Sequence, residues 1–186
     1  CIICFNKQDI DAEGKKEDYR SIYEQAGFQT ITVSAREKEG IDRLKDLLRG
    51  KTTTVAGPSG VGKSSLVNCL QSGIVMETGS ISEKIKRGKH TTRHSELFCL
   101  DTDTYLMDTP GFSSMFVEDM EPQELKEYFP EFAPFEDECK FLGCVHIGEK
   151  ICGVKQAVEQ GKISKSRYEN YRLFYQELKE KRRYTR

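Results

Sequence analysis

The chain has 186 residues, and its 29 basic and 30 acidic side chains leave a formal net charge of −1. This length supports one ordinary hydrophobic core and a small second unit. Since 37% of the residues are hydrophobic, 32% are charged and no apolar run reaches about eighteen residues, we expect a folded cytoplasmic protein without a membrane-spanning helix.

The order of the hydrophobic patterns predicts an α/β fold with a mostly parallel sheet. Helical spacing occurs at 15–26, 40–49 and about 63–71, and residues 73–93 are polar and aperiodic, which predicts a mobile loop. From about residue 121 the pattern becomes helical around a cysteine-rich loop at 139–152. Strands are predicted at 1–5, 28–34 and 52–57, with a hairpin formed by 94–100 and 104–108.

A complete G-x-x-x-x-G-K-S motif stands between a predicted strand and a predicted helix. Its backbone N–H groups at a helix N-terminus suit phosphate oxygens, so it predicts a nucleoside triphosphate site. Lys63 is expected to reach the β- and γ-phosphates and to assist catalysis, and Ser64 is expected to ligate Mg²⁺. The candidate residues are Gly57, Pro58, Ser59, Gly60, Val61, Gly62, Lys63 and Ser64, followed by Ser65.

The base is indicated by Asn6, Lys7 and Asp9, which form an N-K-x-D motif directly after the first strand. The Asp9 carboxylate can accept hydrogen bonds from both N1–H and the 2-amino group of guanine, a pair of donors that adenine lacks. Asn6 is expected to tie this loop to the phosphate loop, and Lys7 is expected to lie along the base.

A companion S-A-R loop follows the second strand at Ser34, Ala35 and Arg36, with the Ala35 N–H expected at guanine O6. Both base-reading loops precede the phosphate loop, whereas an ordinary GTPase has them after it. Because all three loops follow parallel strands, they can still line one crevice. The rotated order therefore predicts a circularly permuted GTPase, a rewiring that neighbouring chain termini make tolerable.

The second switch is predicted at the D-x-x-G motif of residues 108–111, which ends a strand. Asp108 is expected to hold Mg²⁺ through water, and Gly111 to sense the γ-phosphate as part of the catalytic machinery. Phe112 stands where many GTPases have a glutamine that orients the attacking water. An apolar ring cannot orient water, so hydrolysis needs another group.

The basic stretch 88–93 offers such a group. His90 either positions the attacking water as a catalytic residue or contacts a partner at the surface, and both interpretations stay open. Thr91 is slightly favoured over Thr92 as the Mg²⁺ ligand of this first switch.

Three of the seven cysteines cluster with one histidine. Cys139, Cys144, His146 and Cys152 supply the ligand set of a closed structural zinc site. Their spacing is not that of a standard zinc finger, and unligated cysteines are the alternative. Because the surrounding segment is acidic and poor in core residues, we expect one organising Zn²⁺ ion.

The C-terminal third is electrically divided. Residues 117–138 contain nine acids and one base, whereas residues 162–186 contain nine bases and three acids. Basic residues interleaved with aromatic ones fit contacts with RNA phosphates and bases. The alternative is that the rings pack in a core and the charges are solvated. The candidate RNA contacts are Lys162, Lys165, Arg167, Lys181, Arg182 and Arg183.

Together these motifs closely resemble the small-ribosomal-subunit-dependent GTPases of bacteria, the RsgA (YjeQ/YloQ) family, over essentially the whole chain. The resemblance implies a monomeric GTPase that acts late in 30S subunit assembly, binds GTP or GDP with Mg²⁺, contacts 16S rRNA and is stimulated by the particle. It implies a permuted P-loop GTPase domain and then a small helical zinc domain, expected here at 1–116 and 117–186. The matching stretches are NKQD (6–9), SARE (34–37), GPSGVGKSS (57–65), GKHTT (88–92), DTPGF (108–112) and the cysteine–histidine set (139–152).

One part of the family pattern is not found. The family begins with an OB-fold RNA-binding domain, and a complete GTPase sheet has a strand before the N-K-x-D strand. Because unpaired strand edges are unfavourable, we expect the native protein to contain residues before Cys1. A second class of function also stays open, since Phe112 fits an RNA-binding scaffold in which the nucleotide is largely structural.

Overall fold

The structure is a computed structural model that describes residues 1–11, 15–71, 96–109 and 120–184. Strands and helices alternate through the first part of the chain, which confirms the predicted α/β class. The strands are β1 (Ile2–Phe5), β2 (Gln29–Thr32), β3 (Thr52–Val55), β4 (Glu96–Asp101) and β5 (Thr104–Asp108). The α-helices are α1 (Lys15–Gln25), α2 (Ile41–Leu48), α3 (Lys63–Gln71), α4 (Gly153–Glu159) and α5 (Lys165–Tyr184).

The five strands of the described residues lie in two sheets. One pairs β1 with β2, and the other has the order β3-β5-β4. Strand β3 runs parallel to β5, with Val55 opposite Asp108, so the ends of both strands meet at one edge. Strands β4 and β5 form the predicted antiparallel hairpin, with an irregular register between Cys99 and Asp101. The expected single sheet is thus divided in the described chain.

The chain forms two compact units. We call residues 4–14 and 31–115 the phosphate-loop unit, and residues 1–3, 15–30 and 116–186 the C-terminal unit. Helix α1 and the start of β2 therefore group with the C-terminal residues, although they lie between the two base-reading motifs in sequence. The predicted domain boundary at 116/117 stays a prediction.

The core of the phosphate-loop unit comes from amphipathic helices and short strands. Ile41, Leu44 and Leu48 form one buried face of α2, at the spacing that a helix gives to a single stripe. On α3 the buried residues are Leu66, Val67 and Leu70, and Leu106 of β5 is fully buried. This packing holds the first turn of α3, where the phosphate loop ends, on a rigid base.

The core of the C-terminal unit is aromatic. Phe132 and Tyr171 are fully buried, with ring centroids 5.0 Å apart in an edge-to-face arrangement. Tyr168 and Tyr171 donate hydrogen bonds to the carbonyls of His146 and Val145, at 2.6 and 2.7 Å. These two tyrosines therefore follow the core-packing alternative rather than an RNA-stacking role.

The acidic segment folds as two 3-10 helices, Pro122–Tyr128 and Pro130–Glu138, rather than as longer α-helices. Each begins with proline, whose missing N–H is not needed in a first turn. The first has a reciprocal capping box between Glu121 and Glu124. Pro134 lies inside the second and is incompatible with a regular α-helix there.

None of the helices in the described part of the chain combines the length and the apolar character that a bilayer crossing requires.

Candidate nucleotide site and metal centre

The two base-reading loops lie side by side because β1 and β2 are neighbours. The Val33 N–H donates to the carbonyl of Phe5 at 2.8 Å, and the Gln8 N–H donates to the carbonyl of Val33 at 3.2 Å. The residues that follow each strand, Asn6 and Ser34, are thereby held close together.

Asp9 is oriented by the S-A-R loop. Its Oδ1 accepts a hydrogen bond from the Ser34 hydroxyl at 2.6 Å, and its Oδ2 lies 3.9 Å from the Arg36 guanidinium. Ser34 is fully buried and also accepts from the Glu37 N–H at 3.0 Å, so its hydroxyl is fixed. A carboxylate held in this way has a fixed orientation, as a site for paired N–H donors requires.

Asn6 connects three loops. Its Nδ2 donates to the Val61 carbonyl of the phosphate loop at 3.0 Å, and its Oδ1 accepts from the backbone N–H groups of Lys7 and Ala35 at 2.8 and 3.1 Å. The expected tie to the phosphate loop is present. The Ala35 N–H, expected at guanine O6, points at Asn6 here, and its approach to O6 stays a prediction.

Lys7 lies over the phosphate loop, with its Nζ donating to the Gly60 carbonyl at 2.7 Å. Gly60 and Gly62 both have positive φ angles, of 82° and 94°. A Cβ at Gly62 would lie 2.5 Å from Asn6 Nδ2, whereas one at Gly60 would meet nothing within 4 Å. Gly62 is therefore required both by backbone conformation and by the approach of the base-reading loop.

The rest of the phosphate loop leads into α3. Lys63, the first residue of that helix, donates from Nζ to the carbonyls of Gly57 and Pro58 at 2.8 and 3.1 Å, so its ammonium lies within the loop's curve. The other predicted nucleotide contacts, Pro58, Ser59, Ser64 and Ser65, are exposed. Backbone N–H groups and serine hydroxyls exposed beside a helix N-terminus fit phosphate oxygens, and a hydroxyl oxygen can also ligate a Mg²⁺ ion bound with them.

Asp108 ends β5 beside this loop. It is buried and lies opposite Val55, the last residue of β3, and the neighbouring Thr109 hydroxyl donates to the Val55 carbonyl at 2.7 Å. A carboxylate at this strand end fits the predicted Mg²⁺ role. The other predicted switch residues, His90, Thr91, Thr92, Gly111 and Phe112, lie outside the described residues.

Cys69 makes a hydrogen bond to the S-A-R loop that no sequence motif indicates. Its thiol, on the helix that follows the phosphate loop, donates to the Ala35 carbonyl at 3.0 Å. The S-A-R loop is thus attached to α3 as well as to Asn6. No motif contains Cys69, and only the folded chain brings it to Ala35.

The four predicted zinc ligands converge. Their ligand atoms all lie within 4.8 Å of one another. Cys139 Sγ is 3.8 Å from Cys152 Sγ and 3.7 Å from His146 Nδ1, which in turn is 3.3 Å from Cys152 Sγ. Tetrahedral Zn²⁺ with ordinary bond lengths separates its ligand atoms by roughly 3.3–3.8 Å. The spacings among Cys139, His146 and Cys152 fit that ion, and Cys144 completes the set within the 4.8 Å limit.

The acid–base properties of the cluster also suit a cation. Burial raises the pKa of the Cys144 thiol to about 12 and also raises the pKa of Cys152. A bound cation would offset this cost by stabilising the thiolates. Burial lowers the pKa of His146, which favours the neutral imidazole that a metal ligand must be.

His146 is held in place by two acidic side chains, Glu136 and Glu149. Its Nε2 lies 3.2 Å from Glu136, which also pairs with Lys126 at 2.9 Å. Although burial acts in the opposite direction, these hydrogen bonds hold the pKa of Glu136 below its ordinary value. Glu149 accepts from the N–H groups of Val145 and Ile147, both at 2.8 Å, and braces the left-handed backbone of His146 between them. Such outer partners fix a ligand's tautomer and orientation.

The candidate RNA contacts have different surroundings. Lys162 and Lys165 are exposed, and Lys181 pairs with Glu177 at 3.2 Å. Arg182 and Arg183 lie in the last turns of α5. Arg167 differs from all of these, because its guanidinium is largely buried and makes a bidentate pair with Glu131. That engagement argues against Arg167 as an RNA contact.

Comparison with known proteins agrees with this arrangement. The sequence model of the family described as RsgA GTPase matches residues 1–118. The chain belongs to the RsgA GTPase family. The small ribosomal subunit biogenesis GTPases RsgA of Agathobacter rectalis and Alkaliphilus metalliredigens are 56% and 46% identical to it, each across 98% of this chain. The chain spans 60% and 63% of the length of these two family members.

Solved structures of the family give the same fold. YjeQ from Thermotoga maritima matches with a TM-score of 0.76 and 40% identity, covering 95% of this chain and 59% of that one. YloQ, described as a circularly permuted GTPase, matches with a TM-score of 0.74 and 34% identity, covering 97% of this chain and 57% of that one. The permuted GTPase fold predicted from the motif order is confirmed.

Proposed function

We propose that this chain binds and hydrolyses GTP as part of a protein of small-ribosomal-subunit biogenesis. The observation that carries the proposal is the hydrogen-bond network in which Asn6 joins the N-K-x-D loop to the S-A-R loop and to the phosphate loop. Because the loop that would read guanine is bonded to the loop that would hold phosphate, base recognition and phosphate binding occur in one site.

Each loop has a separate task in the proposed site. The oriented Asp9 carboxylate accepts from N1–H and the 2-amino group of guanine, and ATP is rejected because adenine leaves that charge unpaired. The stem of Lys7 covers the base. Lys63 and the backbone N–H groups of the phosphate loop, in which Pro58 alone has none, hold the phosphates and stabilise the charge that develops on them during transfer.

Mg²⁺, held by Ser64, Asp108 and Thr91 or Thr92, would neutralise phosphate charge when bound. Gly111 senses the γ-phosphate, and His90 positions the attacking water in place of the glutamine that Phe112 replaces. The His90→Ala variant is then expected to lose particle-stimulated turnover while GDP affinity stays at the wild-type level.

The C-terminal residues 117–186 form the zinc domain of the proposed arrangement, after a GTPase domain at 1–116. One structural Zn²⁺ held by Cys139, Cys144, His146 and Cys152 organises it. The exposed Lys162 and Lys165, together with residues 181–183, contact 16S rRNA within the 30S subunit through its phosphates. The protein acts as a monomer in the cytoplasm.

The test is GTP turnover by the zinc-loaded chain with and without 30S subunits. We expect slow intrinsic hydrolysis and a clear increase with the particle. If the chain binds GTP and the particle but hydrolysis does not rise, the scaffold alternative, favoured by Phe112, replaces the enzymatic one.

A further inference from the structure

Residues 15–30, which lie between the two base-reading motifs in sequence, pack against C-terminal residues. Helix α1, the turn after it and the first residues of β2 belong to the C-terminal unit. The chain enters this segment from the N-K-x-D loop and leaves it along β2 into Val33 and Ser34. Its position is therefore connected through the backbone to both loops that read the base.

Arg167 of α5 makes the main contacts with this segment. Its guanidinium carbon lies 5.3 Å from the ring centre of Tyr23 and 5.4 Å from that of Phe28, and 5.1 Å from that of Phe129. Contacts of this kind between a guanidinium and aromatic faces are attractive and strengthen when they are shielded from water. The bidentate pair with buried Glu131 fixes the plane of the guanidinium.

Gln25 provides a second contact between the same segment and the C-terminal residues. The Gln25 side-chain amide donates to the carbonyls of Gly161 and Lys162, both at 2.9 Å, directly before α5 begins. The turn itself is stiff, because the Phe28 N–H donates to the Tyr23 carbonyl at 3.0 Å and their rings meet edge to face. Gln25 and Arg167 therefore fix the turn from two directions.

We propose that Arg167 is a positioning residue for guanine recognition, an inference that rests on the proposed nucleotide site. By fixing Phe28, which directly precedes β2, it fixes the position from which β2 runs to Ser34. The Ser34 hydroxyl orients the Asp9 carboxylate at 2.6 Å. The effect of Arg167 on base reading is thus carried along the backbone of β2 to Ser34.

The test measures base discrimination rather than overall affinity. Inosine diphosphate lacks the 2-amino group of guanine, so the ratio of its dissociation constant to that of GDP reports how well Asp9 is oriented. Partial unfolding weakens binding of both nucleotides equally and leaves this ratio unchanged. Competition of each nucleotide against a fluorescent GDP analogue gives the ratio for the zinc-loaded chain.

Arg167→Lys keeps the positive charge but loses the planar fork and its stacking. We expect the ratio of the inosine diphosphate to the GDP dissociation constant to fall about fivefold. This factor is at the lower end of the affinity changes by which two coupled sites usually affect each other. Gln25→Ala, at an exposed position, is expected to lower it about twofold through the loss of the two amide hydrogen bonds. Arg172→Ala removes an exposed arginine from the same helix and should leave the ratio unchanged.

A wild-type chain that binds neither nucleotide, or binds both equally, would remove the proposed nucleotide site and this inference with it. A wild-type chain that discriminates, together with an Arg167→Lys variant of unchanged ratio, overturns the inference alone. If Arg167→Lys does not fold, Gln25→Ala decides: a wild-type ratio in that variant overturns the inference, and a reduced ratio supports it.

Discussion

The side-chain amide of Asn6 donates a 3.0 Å hydrogen bond to the carbonyl of Val61, a residue 55 positions later in the chain. The same amide nitrogen is the atom that a Cβ at Gly62 would meet at 2.5 Å. The junction between the base-reading loop and the phosphate loop is therefore tight, and a side chain at Gly62 would displace the Asn6 amide from it.

The two glycines of the phosphate loop separate backbone strain from this contact. Gly60→Ala and Gly62→Ala each place a side chain at positive φ, which costs on the order of 1–2 kcal/mol. Only Gly62→Ala also displaces Asn6. We expect GDP affinity to fall about tenfold in Gly60→Ala and about 100-fold in Gly62→Ala, measured by isothermal titration. Equal losses in the two variants would mean that the Asn6 junction has no energetic role.

The metal centre predicts a specific dependence on one thiol. Cys144→Ser removes a buried ligand, and a structural zinc site contributes on the order of 10 kcal/mol to folding. Zinc content by metal analysis should fall from about one ion per chain to nearly none, and the C-terminal unit should lose its cooperative thermal transition. The control Cys99→Ser, at an exposed cysteine, should keep both. Wild-type chain that is folded and metal-free would contradict the zinc assignment.

The ion pair of Arg167 and Glu131 predicts a large stability effect from a small change. Glu131 is buried and the Arg167 side chain is largely shielded from water, so Glu131→Gln leaves the guanidinium charge without a carboxylate partner. We expect a loss of about 3 kcal/mol in the free energy of unfolding, measured with urea. Glu127→Gln makes the same change at an exposed acid of the same segment and should cost no more than about 0.5 kcal/mol. Equal costs would show that the pair is not structurally important.

Where short motifs define the chemistry of the site, the sequence is sufficient to predict which residues lie close together. The N-K-x-D, S-A-R and G-x-x-x-x-G-K-S motifs place Asn6, Ser34 and Gly62 together because each follows a strand, and strand ends can be read from hydrophobic runs. The cysteine cluster was likewise recognisable from residue types. In both cases the chemistry restricts the residues more strongly than the packing does.

The sequence did not reveal contacts that depend on tertiary packing. Arg167 looked like one basic residue among several, and only its neighbours on α1 and in the acidic segment identify it as a buried partner. Glu136 was one acid in a charged run, although it holds His146. Charge patterns alone cannot separate a solvated side chain from a buried pair, because both use the same residues.

The most direct test of the permuted guanine site is a change of base specificity at Asp9. The Asp9→Asn variant replaces one acceptor by an amide donor, which matches the 2-oxo group of xanthine rather than the 2-amino group of guanine. Dissociation constants of GDP and xanthosine diphosphate should be measured for both proteins. We expect wild type to prefer GDP and Asp9→Asn to prefer xanthosine diphosphate, with GDP affinity reduced about 100-fold. A variant that still prefers GDP would contradict the account.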